Sequence, residues 1–162
     1  MDDALAQFRA VVKLSPQHAR ANKLVEALTA RHRTLEQKLA AATELVKVKS
    51  YQNAINILIA TLREPLEPAQ RETVRLRVAE TYLLWGNSEI ALSEAVQLVA
   101  ELSTDEGKAQ AHAIAALAAA GLGRYDKAKE SAAKAEAAPQ PWKDRLTLIT
   151  LLADLDAKKD AA

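Results

Sequence analysis

One spacing constrains this chain more than any other feature. Ala54, Ala91 and Ala128 stand 37 residues apart, and their neighbours keep the same register. Lys49, Gly86 and Gly123 coincide ahead of them, followed by Tyr51, Ser88 and Tyr125. Further back Ala42, Ala79, Ala116 and Ala153 superpose, as do Ala41, Val78, Ala115 and Leu152, and Leu45 falls on Tyr82. A recurrence of this length has the size of one supersecondary unit, and such units bury their apolar sides by stacking on copies of themselves. The pattern predicts a helix–turn–helix unit. Its small residues mark where two helices cross closely, and its larger ones fill the space between units.

Composition supports helices. Alanine and leucine abound, glycine is limited to 4 residues, proline to 5 and aromatics to 4%. Alanine and leucine are strong helix formers. No segment shows a strand-like alternation long enough to argue for a sheet. Turn signals divide the chain into helices over about 2–14, 17–49, 51–63, 68–85, 88–102, 104–121, 125–137 and 141–157. Ser15 before Pro16 reads as an N-cap followed by a first-turn proline. Pro65 and Pro68 break a helix. Gly86, Gly121 and Gly123 suit helix C-caps, and Ser103 with Glu106 has capping-box spacing. "APQPW" (138–142) stops one helix and starts another. Short connections make successive helices antiparallel neighbours.

The stretch "GRYDKA" (123–128), followed by Ala132 and Ala135, resembles the tetratricopeptide repeat (TPR) family, with its Gly-x-Tyr-x-x-Ala signature and small residues in the second helix. "GNSEIA" (86–91) is a weaker copy in which Ser88 replaces the aromatic. "KSYQNA" (49–54) keeps Tyr51 and Ala54 without the glycine. "DALAQFRAVVKLSP" (3–16) looks like a family second helix, with Ala4, Phe8, Val11 and Pro16 at the expected spacings. The period departs from the family's usual 34. The family's first-helix aromatic is also absent, its place taken by Lys38, Arg75, His112 and Ile149. The resemblance implies an all-α fold, an α-α superhelix built as a right-handed solenoid of antiparallel helix pairs.

From Ala4 to Ala54 the register slips by 13 residues, and the surplus falls in 17–49, which contains neither glycine nor proline. One long helix is predicted there, about 50 Å at 1.5 Å per residue; the alternative is a bend near Arg31–Thr34. The expected organisation is one TPR-like domain over 1–162. It comprises the second helix of a repeat at 2–16, the long helix 17–49, units at about 35–66, 68–103 and 104–139, and a terminal helix at 141–157. The chain opens inside a repeat and closes on an unpaired first helix, which points to a fragment of a longer array.

Catalytic and ligand motifs are weak. The Gly121-x-Gly123 pair suggests a phosphate loop. A dinucleotide fingerprint, however, needs a third glycine where Asp126 stands, on a strand–turn–helix. The residues before Gly121 read as helix, and Asp126 would repel a phosphate. His18, His32 and His112 are isolated, without metal-ligand spacing, and His112 reads as an interface histidine. Cysteine is absent, which excludes disulfides and thiolate sites. No Gly-x-Ser-x-Gly elbow occurs. The net charge of +1 gives a polyanion no electrostatic footing, and no stretch is long and apolar enough to span a membrane. No catalytic residue, cofactor or metal is expected. Trp85 and Trp142, both at helix ends, read as residues packed against a neighbouring helix, the alternative being an exposed ligand anchor.

What remains is shape. In the family the first helices line a concave face that commonly holds a peptide or partner helix. Carried over, that face comprises Thr43 and Lys47 (with Leu39), then Thr73, Arg77, Glu80 and Leu84, then Gln110, Ile114 and Leu117; the alternative is that several of these are buried contacts. Leu39/Thr43 and Leu76/Glu80 do not supply the Lys and Asn with which part of the family clamps a chaperone's C-terminal carboxylate, so no such tail is expected to bind. The expected function is a non-catalytic interaction scaffold. Homo-oligomerisation through the end helices or the long helix is the competing reading. An RNA-binding helical repeat of pentatricopeptide type is disfavoured by the period and by the near-neutral charge.

Overall fold

The computed structural model describes residues 7, 10–15, 17–31 and 34–160, with side chains omitted at 26–31 and 152–160. Among these residues every regular element is a helix. They are α1 (Ala19–Arg31), α2 (Leu35–Lys47), α3 (Tyr51–Leu62), α4 (Pro68–Leu84), α5 (Ser88–Glu101), α6 (Asp105–Gly121), α7 (Tyr125–Ala133) and α8 (Gln140–Asp160). Residues 10–14 are also helical. The rest of the expected 2–16 helix, with Ala4, Phe8 and Pro16, lies outside the described residues, as does His32. The chain forms two compact units, residues 1–41 and 42–162, with α2 running through the boundary.

A single 17–49 helix gives way to the alternative, a break near Arg31–Thr34. Thr34 is non-helical and divides α1 from α2. The cause is a capping box that the sequence spells as Thr-Leu-Glu-Gln. The Gln37 N–H donates to Thr34 Oγ1 at 3.3 Å, and the Thr34 N–H donates to Gln37 Oε1 at 3.2 Å. Two orphan amides are satisfied reciprocally, so a new helix start competes with continuation even without glycine or proline. Ser15 is not an N-cap either. Its N–H closes the preceding turn on the Val11 carbonyl, and His18 caps α1 by accepting the Ala21 N–H on Nδ1 at 3.1 Å.

In the second unit each helix from α3 to α8 packs on the next. In addition, α6 packs on α4 and α8 packs on α6. The helices therefore alternate between a row, α4–α6–α8, and the intervening α3, α5 and α7.

The turns explain why the 37-residue register recurs. Lys49, Gly86 and Gly123 all have left-handed backbone, with φ of 59°, 85° and 70°. At each, the following N–H reaches back to a carbonyl of the last helical turn: Ser50 to Leu45, Asn87 to Tyr82, and Arg124 to Ala119, at 2.8–2.9 Å. This is the Schellman helix ending, which satisfies orphan carbonyls with one left-handed residue. Gly121, the other glycine of Gly-x-Gly, is still helical. A Cβ built there would lie 2.8 Å from Ser88 Oγ, so it permits close approach of α5 to the end of α6.

The recurring alanines lie at helix crossings. Ala54, Ala91 and Ala128 are fully buried, as are Ala79 and Ala116, and Ala42 is nearly so. Larger residues fill the core around α6. Leu98, Ile114, Trp142, Leu146 and Ile149 belong to one cluster with the α6 alanines.

Two further boundaries differ from expectation. The α6 N-cap is Thr104, whose hydroxyl accepts the Gly107 N–H at 3.1 Å, rather than Ser103. The Ser103 N–H and hydroxyl are instead engaged by the Glu72 carboxylate of α4, both at 3.2 Å. Helix α7 ends at Ala133, and residues 134–137 continue as turns that bury Ala135 and Ala138 before Pro139.

Candidate functional site

The repeat register sets one face of the helical row. On α4, Thr73, Arg77, Glu80 and Leu84 follow one another at intervals of four, three and four, which keeps them on one side of a helix. Shifted by 37, Thr73, Arg77 and Glu80 become Gln110, Ile114 and Leu117 on α6, which packs beside α4. Thr73, Arg77 and Leu84 are exposed, Glu80, Gln110 and Leu117 half-buried. Thr43 and Lys47 are exposed on α2.

Ile114 does not belong to the surface. It is fully buried and forms part of the cluster that includes Trp142, Leu146 and Ile149, because α8 packs against α6. At the equivalent place on α4 the longer Arg77 carries its guanidinium to solvent, leaving its side chain 50% exposed.

The charges on this face are matched locally. Arg77 bonds Glu80 at 2.8 Å and Lys47 bonds Glu44 at 2.7 Å, each three residues away along its helix. Exposed pairs of this kind add little stability, typically below about 1 kcal/mol. Their effect is to cancel charge, leaving a neutral surface whose apolar points are Leu84 and Leu117. Thr73 and Thr81 turn their hydroxyls back to the Ala69 and Arg77 carbonyls.

Four positions that share one place in the 37-residue register, Lys38, Arg75, His112 and Ile149, all lie inward. Lys38 and Ile149 are buried, and Arg75 and His112 are half-buried. Arg75 pairs with Glu101 of α5. His112 is held below its ordinary pKa by burial and by Lys134, the residue that follows α7, with Glu130 of α7 opposing. Lys134 bonds Glu130 at 2.7 Å and, mainly through that bond, keeps the Glu130 carboxyl below the usual range. His112 is therefore an interface histidine between α6 and α7.

One feature escaped the sequence reading. Trp85 stacks between Tyr51 of α3 and Tyr82 of α4, with ring centroids 6.4 Å away on each side, yet it stays 42% exposed. The only signal was register, since Tyr51 follows the turn at Lys49 while Tyr82 and Trp85 precede the equivalent turn at Gly86. Trp142, by contrast, is 6% exposed, with the Arg145 guanidinium 5.6 Å from its ring centroid. Elsewhere, depressions of about 420 Å³ and 510 Å³ lie between α5 and Arg124 and between α7 and α8. Both are open, shallow and away from the α4–α6 face. Among the described residues no three His, Asp or Glu side chains form a metal cluster, and no helix is long and apolar enough to cross a membrane.

No family model matches the chain, and no curated protein or solved structure is similar to it.

Proposed function

We propose that the chain is a TPR-like repeat array, a right-handed stack of antiparallel helix pairs, acting as a non-catalytic scaffold that holds a peptide or partner helix along the α4–α6 face. The observation that carries this reading is the coincidence of three Schellman turns with the 37-residue register. Identical turns at one period orient successive helices alike. The row α4–α6–α8 then offers an extended face rather than a pocket.

The chemistry of that face suggests the kind of partner. With Arg77 and Glu80 neutralising one another, recognition would rest on apolar contact at Leu84 and Leu117 and on hydrogen bonds at Thr73 and Gln110. An amphipathic helix or a peptide with spaced apolar side chains fits this better than an acidic tail. The test is calorimetry with peptides selected against the chain from a random display library. Leu84→Asp, and Leu84→Ala together with Gln110→Ala, should each weaken binding at least about tenfold, or 1.4 kcal/mol. Unchanged affinity in both would remove this face from consideration.

A further inference from the structure

The three rings around Trp85 are not part of the α4–α6 face. Tyr51 opens α3, Tyr82 lies in the last turn of α4, and Trp85 ends that helix. Because α3 packs on α4, the start of one helix meets the end of the other and the rings come together. Their planes differ by only 22° and 16° on the two sides of Trp85, with centroids 6.4 Å apart each time. At that spacing nearly parallel rings are displaced sideways rather than laid face on face. Ring surface therefore stays open, and Trp85 is 42% exposed. The polar ends of the rings are open too. Among the described residues, no hydrogen bond within the protein engages the Trp85 indole N–H or the hydroxyls of Tyr51 and Tyr82.

The arrangement selects its ligand by exclusion and by fit. A cage for a quaternary ammonium sets rings around the cation on several sides, whereas these planes are nearly parallel. Sites for single-stranded nucleic acid join stacking rings to a positively charged groove. This chain has a net charge of +1, and Lys47 and Arg77 are already paired with Glu44 and Glu80. A polyproline II segment meets every feature. It is a three-sided helix rising about 3.1 Å per residue. Laid on a flat surface it rests on two of its three edges, with residues i and i+2 about 6.2 Å apart along its axis. That distance is one step of the ring row. Its backbone makes no internal hydrogen bonds, so its carbonyls can accept from the indole N–H and the tyrosine hydroxyls. Proline-rich segments dock on aromatic-lined surfaces in this way.

We propose that Tyr51, Trp85 and Tyr82 form a docking site for a proline-rich peptide in the polyproline II conformation. The site stands independently of the α4–α6 face, because none of the three rings belongs to it.

The experiment uses the full chain. Trp142→Phe leaves Trp85 as the only indole, so its emission reports contact with this ring. Titration with decaproline, about 31 Å long, up to about 1 mM, should give a saturable blue shift. A glycine–serine decamer should give none. Calorimetry on the otherwise unaltered chain should show Trp85→Ala weakening decaproline binding at least about tenfold. Its circular dichroism spectrum should be unchanged, because the ring is partly exposed. Tyr51→Phe with Tyr82→Phe keeps the rings and removes the hydroxyls, and should weaken binding about threefold or more. No shift at the highest concentration, or affinity unchanged in Trp85→Ala, would overturn the proposal. So would a saturable shift with a neutral oligosaccharide, maltohexaose, in place of decaproline, or affinity unchanged by the loss of both hydroxyls.

Discussion

Lys49 occupies a place where its two counterparts are glycine, and the structure gives that difference a measurable consequence. Its φ of 59° is left-handed, a conformation that costs a residue with a Cβ roughly 1–2 kcal/mol. Glycine adopts it freely but adds about 0.4–1 kcal/mol of unfolded-state entropy. Lys49→Gly should therefore stabilise the fold by about 0.5–1 kcal/mol on balance. The reverse changes, Gly86→Ala and Gly123→Ala, should destabilise by a similar amount. No clash complicates them, because a Cβ built at either glycine meets nothing within 4 Å. Urea unfolding followed at the helical circular dichroism band measures all three, and for a chain of this size 1 kcal/mol corresponds to about 2–4 °C in Tm. A destabilised Lys49→Gly, or neutral glycine replacements at both other turns, would refute the claim that three equivalent turns set the repeat.

Other outcomes follow from particular contacts. Gly121→Ala gains helix propensity but drives a Cβ to 2.8 Å from Ser88 Oγ. Gly121→Ala with Ser88→Ala should be more stable than the sum of the single changes, by about 0.5 kcal/mol or more in a double-mutant cycle. Ala91 is fully buried at a helix crossing, so Ala91→Leu should overpack it and cost about 1–3 kcal/mol in urea unfolding. His112 is held below its ordinary pKa of 6.5 by burial and Lys134. The unfolded chain then binds the proton first, so stability should decline as pH falls from neutrality through the folded pKa. His112→Gln should flatten that limb when Tm is measured across the range. Trp142 is buried and Trp85 is not, so Trp85→Phe should leave blue-shifted fluorescence resistant to acrylamide, and Trp142→Phe the reverse.

Much of this was legible in the sequence because it is written in backbone chemistry. Glycines mark two of the three left-handed turns, and buried alanines mark the crossings, so helix pairs and register could be read together. Lys49 could be placed only by that register, since nothing local to a lysine demands positive φ. The break at Thr34 stood only as the alternative, a bend near Arg31–Thr34, because it depends on reciprocal side-chain bonds with Gln37 and no glycine or proline marks it. The cap at Thr104 was misplaced by one residue because Glu72, distant in sequence, engages Ser103. Ile114 shows the limit of carrying a surface over by period. The same register position is exposed on α4 as arginine and buried on α6 as isoleucine, since what covers a helix depends on the next helix as well as on its own pattern.

The central claim is that the α4–α6 row forms a docking face, and amide chemical-shift mapping tests it most directly. The ¹⁵N-labelled chain would be titrated with the tightest peptide selected from a random library. The account predicts that shifts concentrate at Thr73, Arg77, Leu84, Gln110 and Leu117, with α3, α5 and α7 little changed. Saturable shifts confined to α5 and α7, with Arg77 and Leu84 unmoved, would contradict it.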